Sequence, residues 1–212
     1  MNDIKLVIFD LDGTLVNAYP AIEKSVNYVM KELGYPLRDC PTVYKAVGWG
    51  DKRLIEQFVD KKDSKKALSL YRRHHKFDLP RYSTLMPNAK LVLNYLKGKG
   101  YKLAVASNRP TIFSQILIRH LNIAQYFNYY LCADKVRFGK PHPEILLKII
   151  RRINVKKTQS LYVGDMSIDA QAGRRSGIKT IIVTTGSSTI SEIKRSKPQI
   201  VIRNLSALLK LL

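Results

Sequence analysis

Two acids one residue apart, Asp10 and Asp12, close an apolar run in Phe9-Asp10-Leu11-Asp12-Gly13-Thr14-Leu15-Val16. In extended backbone, residues two apart point the same way, so both carboxylates can face one site, and Gly13 permits a sharp turn out of a strand. Adjacent carboxylates suit a hard cation, proton transfer or nucleophilic attack. An arbitrary Asp-x-Asp is more often a capped turn whose side chain accepts from backbone N–H groups. What decides between these readings is company, and three later segments supply it.

Ser107-Asn108-Arg109-Pro110 follows a second apolar run and sets a hydroxyl, an amide and a helix N-terminus where an anion would be held. Gly139-Lys140-Pro141-His142-Pro143-Glu144 offers the charge of Lys140 from a loop stiffened by two prolines, with His142 read as structural. Val163-Gly164-Asp165-Met166-Ser167-Ile168-Asp169 brings a second pair of acids after another buried run; four apart, Asp165 and Asp169 can share one side of a turn. Taken singly, each has an ordinary explanation as a helix cap or a surface lysine. Taken together, they place acids, a hydroxyl and a cation at the ends of four strands.

Those strands are the elements that must position the chemistry. Apolar, β-branched runs at 5–9, 102–106, 129–132, 160–163, 180–183 and 200–202 are nearly unbroken, the pattern of strands covered on both faces. Helical spacing joins them at 89–96, 112–121 and 144–153, with Pro110 and Pro143 where helices begin and Gly98 and Gly100 where one ends. A short last helix is expected at 206–212. The alternation predicts a doubly wound, Rossmann-like α/β core on a parallel sheet, in which ligands bind beyond the carboxyl ends of the strands. Between residues 16 and 82 no strand is evident. Helical patterns at 21–33 and 52–59, punctuated by Gly34, Pro36, Pro41, Gly48 and Gly50, predict a helical insertion after the first strand.

Composition narrows the class. The 212 residues are 45% hydrophobic and 25% charged, which supports one sizeable core with a modest appendage and excludes disordered or fibrous classes. Cys40 and Cys132 stand apart from each other and from any Cys/His cluster, so neither a disulfide framework nor a zinc site is expected, and they read as reduced thiols of a cytoplasmic protein. The apolar run at 6–9 is too short for a signal peptide, and no stretch reaches membrane-spanning length. With 37 Lys and Arg against 16 Asp and Glu, the net charge of +21 draws anionic ligands. The densest cluster, Lys61, Lys62, Lys65, Lys66, Arg72, Arg73 and Lys76, has the pattern of a solvated helix face, and no RNP motif, helix-turn-helix or zinc finger accompanies it, so nucleic acid is not the expected partner.

With all four segments in order, and a cap-sized insertion after the first, the chain resembles the haloacid dehalogenase superfamily, in its phosphatase branch with a helical cap. The stretches 170–180 and 185–202 are similar to the closing segments of phosphoglycolate phosphatase-like members. The resemblance implies a core of residues 1–16 and 83–212, a cap of residues 17–82, and a Mg2+-dependent phosphatase acting on a small phosphorylated metabolite, as a monomer or homodimer. By the same resemblance Asp10 is the nucleophile, Asp12 the general acid and base, and Ser107 and Lys140 hold the transferring phosphoryl group, with Asn108 lending donors nearby. The metal would be bound by the Asp10 carboxylate, the Asp12 backbone carbonyl and the Asp165 carboxylate, with Asp169 acting from behind them or through water. A dianionic phosphate among these carboxylates meets repulsion of roughly 4 kcal/mol per charge pair at about 4 Å and a dielectric near 20, so a cation is required.

Departures from the family pattern define the alternatives. Asp12 argues against the dehalogenases, which lack a second acid, and against phosphonate hydrolases, which carry a small residue there. Related phosphosugar mutases place a histidine in the first cap helix where this chain has Ile22. Asn17 replaces the usual acid after the first motif. The Gly48-Trp49-Gly50 turn and Arg53 either face the site when the cap closes or belong to a helix-helix turn with Trp49 in the cap core. The resemblance ranks phosphoglycolate first, then a nucleoside monophosphate, then a sugar phosphate. A basic nucleic-acid-binding protein with vestigial catalysis is the reading from another class.

Overall fold

The computed structural model describes residues 3–212. Six parallel strands form the central sheet: β1 (Leu6–Phe9), β4 (Lys102–Ser107), β5 (Tyr129–Cys132), β6 (Ser160–Gly164), β7 (Lys179–Val183) and β8 (Ile200–Ile202). Their spatial order is β5-β4-β1-β6-β7-β8. The chain therefore builds outward from β1 to one side, returns, and builds to the other, so the topological switch falls beside β1. Leu6 to Phe9 are all buried, as are all residues of β6, which is why these runs carry no polar alternation. Edge strand β8 is partly exposed, and there the pattern loosens.

Helices cover both faces: α5 (Ala89–Gly98), α6 (Thr111–His120), α7 (Glu144–Ile153), α8 (Ser167–Ser176) and α9 (Ile190–Arg195). One layer of core joins Val7 and Phe9 to Val92, Leu96 and Leu117, and the other joins Leu6 and Ile8 to Ile145, Leu146 and Ile149. Each fully buried aliphatic or aromatic side chain contributes about 1.5–3 kcal/mol relative to exposure. Helix α8 lies especially close to the sheet, because Gly173 faces Thr180 of β7 with no room for a side chain.

Between β1 and α5 stand four helices, α1 (Tyr19–Leu33), α2 (Cys40–Ala46), α3 (Asp51–Glu56) and α4 (Ser64–Tyr82). The basic cluster falls at and within α4, whose inner positions Ala67, Tyr71, His75, Asp78 and Leu79 are buried. The expectation of no strand in this region needs correction. Val16–Asn17 forms β2, paired antiparallel with β3 (Thr84–Leu85). A two-residue pairing is too short to show a period of two. It clasps the two chain crossings that lead into and out of the helical segment.

Two further corrections concern ends. The expected last helix is a 3-10 turn at Leu205–Lys210, begun by Asn204, whose side chain accepts from the Ala207 N–H. Helices α2, α8 and α9 are short, polar or both, and hydrophobic spacing did not reveal them. Among the described residues no helix is long and apolar enough to cross a membrane. Both cysteines are free, Cys40 exposed and Cys132 buried.

The tight seam at Gly173 makes a test. Gly173→Ala drives a methyl into Thr180 and should cost about 1–3 kcal/mol of stability, read as a lower urea midpoint.

Candidate active site

The adjacent strands β4, β1 and β6 end side by side, and their carboxyl ends deliver Ser107, Asp10 and Asp165 respectively. The Asp10 N–H donates to the Val163 carbonyl at 2.8 Å, carrying the pairing of β1 with β6 one residue past the strand. Gly13 then turns with φ +81, a left-handed conformation that favours glycine. A side chain at Gly13 or at Gly186 would collide with Asp165, so backbone from both sides hugs that carboxylate.

Lys140 arrives from the loop between β5 and α7, and its side chain is buried. Its Nζ lies 2.6 Å from Asp10 Oδ1 and 2.8 Å from Asp169 Oδ1. It also donates to the Tyr162 hydroxyl at 3.1 Å. Tyr162 in turn donates to Asp169 Oδ1 at 2.6 Å. The other oxygen of Asp169 accepts from the backbone N–H of Met166 at 2.9 Å and of Asp165 at 3.2 Å, capping α8. Asp169 thus anchors Lys140 and the start of α8 together.

Asn108 works on backbone. Its Nδ2 donates to the carbonyls of Gly48 and Lys140, both at 2.9 Å, and its Oδ1 accepts from the Lys140 N–H at 2.8 Å. The side chain ties the Lys140 loop to the turn between α2 and α3. Ser107 is buried, and its Oγ accepts from the Arg109 N–H at 3.1 Å. Asp12 points to Arg109, which donates from Nε and Nη2 to its two oxygens at 2.9 and 2.8 Å.

Three residues the sequence reading passed over matter here. Arg109 pairs with both oxygens of Asp12, a contact that its place in the Ser107–Pro110 segment does not signal. Thr14 donates to Asp165 Oδ1 at 2.7 Å. Tyr162 was counted only as part of a buried run; a phenol within an otherwise aliphatic strand is the signal that marks it, because a buried hydroxyl requires a partner. The reading of the Gly48-Trp49-Gly50 turn is corrected in part. Gly48, Gly50, Leu54 and Ile22 line the cavity beside Asp10 and Asp12, whereas Trp49 is 40% exposed and lies in no helical core. Arg53 sits over its ring at 5.3 Å, outside the cavity lining. His142 is structural, accepting from the Glu144 N–H at 3.2 Å.

Charge is unbalanced at this point. Four carboxylates, Asp10, Asp12, Asp165 and Asp169, meet two cations, Lys140 and Arg109. Burial pushes the Asp10 carboxyl up to about 7, against the pull of Lys140 and with a further push from Asp169. Burial and the neighbouring Asp10 and Asp169 push Asp165 well above the usual carboxylate range. Oxygen atoms of Asp10, Asp165 and Asp169 lie within 4.8 Å of one another. Asp165 Oδ2 is buried with no hydrogen-bond partner, an orphaned acceptor of the kind that costs free energy unless something pairs with it. An all-oxygen donor set with an unmatched negative charge fits a hard divalent cation such as Mg2+.

A profile of haloacid dehalogenase-like hydrolases matches residues 7–183, spanning every site segment described above. The chain belongs to this family. Among its relatives, a phosphoglycolate phosphatase of Haemophilus influenzae is 33% identical over 98% of both chains. One of Aquifex aeolicus is 31% identical over 92% of this chain and 93% of its own. A crystal structure described as a predicted phosphoglycolate phosphatase from Haemophilus somnus 129PT superposes with a TM-score of 0.93 at 28% identity, covering 100% of this chain and 99% of that one. The haloacid dehalogenase-like fold thus extends over the whole chain, including α1 to α4.

The charge imbalance predicts how stability responds to pH and metal. An acid whose folded pKa exceeds its unfolded value of 3.8 binds its proton more tightly when folded, so its stabilising effect is present at low pH and lost as pH rises toward about 7. Asp165→Asn keeps an acceptor for Thr14 and removes one charge. Without metal, its Tm should exceed that of the native protein by a margin that widens as pH rises, reaching some 2–4 °C per ~1 kcal/mol relieved. Added Mg2+ should raise the native Tm and leave that of the variant unchanged, as read by thermal denaturation.

Proposed function

We propose that this chain hydrolyses a small phosphate monoester with Mg2+, through an aspartyl-phosphate formed on Asp10. The chain is a phosphoric monoester hydrolase of the haloacid dehalogenase-like family, as its profile match and relatives indicate. The observation that carries the finer one is the convergence of Asp10, Lys140 and Asp165 at neighbouring strand ends, with Asp165 Oδ2 lacking a partner.

In this reading Asp10 and Asp165, with the Asp12 backbone carbonyl, hold the metal, and Asp169 stands behind them by fixing Lys140. Those oxygens would hold Mg2+, which would supply charge neutralisation at the transferring phosphoryl group. Asp10 attacks phosphorus and displaces the alcohol, while Asp12 hands a proton to the departing oxygen. Asp12 then takes a proton from the water that opens the acyl phosphate. Lys140 and Ser107 hold the transferring group's oxygens, and Asn108 keeps Lys140 in register by gripping its backbone on both sides. Splitting the reaction in two eases a hydrolysis whose uncatalysed rate is so low that enzymes supply factors up to ~10²¹ for it.

Residues 17–82 serve as a cap over a core of residues 1–16 and 83–212. The cavity between them has a volume of about 50 Å³, lined by Ile22, Val47, Leu54 and Phe113 opposite the acids. The phosphoglycolate phosphatases among its relatives support phosphoglycolate ahead of a nucleoside monophosphate or a sugar phosphate. Ile22 in that lining provides no base for a mutase. A complete set of four acids, three of them buried, argues against vestigial catalysis in a nucleic-acid-binding protein.

The test is a panel of phosphorylated metabolites with Mg2+ and with chelator. Native protein should release phosphate only with the metal, and Asp10→Asn should lower kcat by about 10³-fold or more. Equal release by the native protein and the variant would remove Asp10 from the reaction.

A further inference from the structure

Beyond Asp12 runs an unbroken chain of buried polar groups that the reaction as described does not use. Arg109, whose Nε and Nη2 grip the two oxygens of Asp12, places Nη1 at 2.7 Å from His75 Nε2. The other ring nitrogen, Nδ1, lies 2.8 Å from Ser25 Oγ. That hydroxyl lies 2.7 Å from Asp78 Oδ2 and 2.9 Å from the Ala21 carbonyl. Arg109, His75, Ser25 and Asp78 are all buried. The first belongs to the core, just before α6, and the other three to α1 and α4.

Donor counting fixes the direction of every link. A guanidinium has no acceptor, so His75 Nε2 must accept, and the ring proton sits on Nδ1. Nδ1–H donates to Ser25, whose own proton goes to the charged Asp78 in preference to the Ala21 carbonyl. Protonating His75 would set two donors against each other; burial first, then Arg109 and His74, hold its pKa well below the ordinary histidine value. Tyr71 stacked at 4.7 Å and the edge of Phe113 at 5.0 Å keep the ring from turning.

From this geometry we infer that His75 is a positioning residue for catalysis: through Arg109, and oriented by Ser25 and Asp78, it sets the carboxylate of Asp12 for proton transfer to the leaving oxygen. The inference rests on the acid–base reading of Asp12. His75 touches neither substrate nor metal ligand; it holds the third nitrogen of the guanidinium whose other two hold Asp12. A guanidinium tethered at three points cannot rotate, so it holds the Asp12 carboxylate in one orientation. Without the His75 acceptor, Nη1 is a buried donor lacking a partner, and the fork is free to tilt. Because His75 and Ser25 lie in the helical segment and Arg109 in the core, the acid is aligned only when the two are packed together.

A tie that merely stabilised the fold would look the same in a static view, so the test reads leaving-group dependence. The ratio kcat/KM reports steps up to departure of the alcohol, and an alkoxide needs a proton where p-nitrophenolate does not. Native protein, His75→Met, His75→Gln and Ser25→Ala are assayed with Mg2+ on p-nitrophenyl phosphate and on the best alkyl ester of the panel, with Asp12→Asn as reference. General acid–base catalysis contributes ~10²–10⁴-fold, so His75→Met should lose about tenfold or more on the alkyl ester and less than about threefold on the aryl ester. His75→Gln, which restores an acceptor for Nη1, should recover most of that selective loss. Ser25→Ala, a smaller change in volume, should show the loss in milder form. Equal losses on both esters, or none, in His75→Met and Ser25→Ala would overturn the inference while Asp12→Asn still loses activity. An Asp12→Asn protein as active as native on the alkyl ester would overturn the acid–base reading and the inference with it.

Discussion

Everything at the centre of this molecule follows from crowding more negative charge than positive into a buried space. Four carboxylates share two cationic side chains, and the cations are committed: Lys140 to Asp10 and Asp169, Arg109 to Asp12. Removing charges from water is costly unless each is matched, so the fold accepts an internal debt of attraction at Asp165. The arrangement persists because rigid elements impose it. Strands buried on both faces fix where β1 and β6 end, Gly13 and Gly186 close in around the carboxylate, and Thr14 holds its other oxygen. A site built this way is pre-organised for a cation, which restores the balance that the polypeptide alone lacks.

The same economy appears in how partners are reused. Asp169 fixes a helix start and a lysine at once, and Tyr162 fills a core position while bridging the two. Asp12 is oriented from the opposite side, by a guanidinium that reaches into the helical segment. The cavity beside Asp10 and Asp12 is thus walled from both sides, by Ile22, Val47 and Leu54 of the helical segment and by Phe113 of α6.

How much of this was legible depends on range. Buried parallel strands announce themselves as unbroken apolar runs, so the sheet was readable from spacing, and Asp10 and Asp165 lie at the carboxyl ends of strands where those runs stop. The four-segment pattern carried the family, which the profile match bears out. Short features left no trace: β2 and β3 contain two residues each, and α9 only six. His75 and Asp78 were hidden for another reason. They lie in a stretch dominated by lysine and arginine, which reads as solvated, yet they occupy the inner face marked by Ala67, Tyr71 and Leu79. Polar residues at apolar-face spacing are the signal there, and seeing it requires weighing position above residue type. That Arg109 pairs with Asp12, 97 positions away, no local pattern could reveal.

The amide of Asn108 has a consequence of its own. Two of its three hydrogen bonds stay within the core and one crosses to Gly48 in the overlying helices. If the helices swing away on the β2–β3 clasp, only the crossing bond breaks, and the Lys140 loop keeps its shape. A bond of that kind is worth about 1 kcal/mol net, several-fold in population. The Asn108–Gly48 bond is thus one releasable tie beside the Arg109–His75 link, and it is fastened to a frame whose other two bonds hold the Lys140 loop whether or not the helices shift.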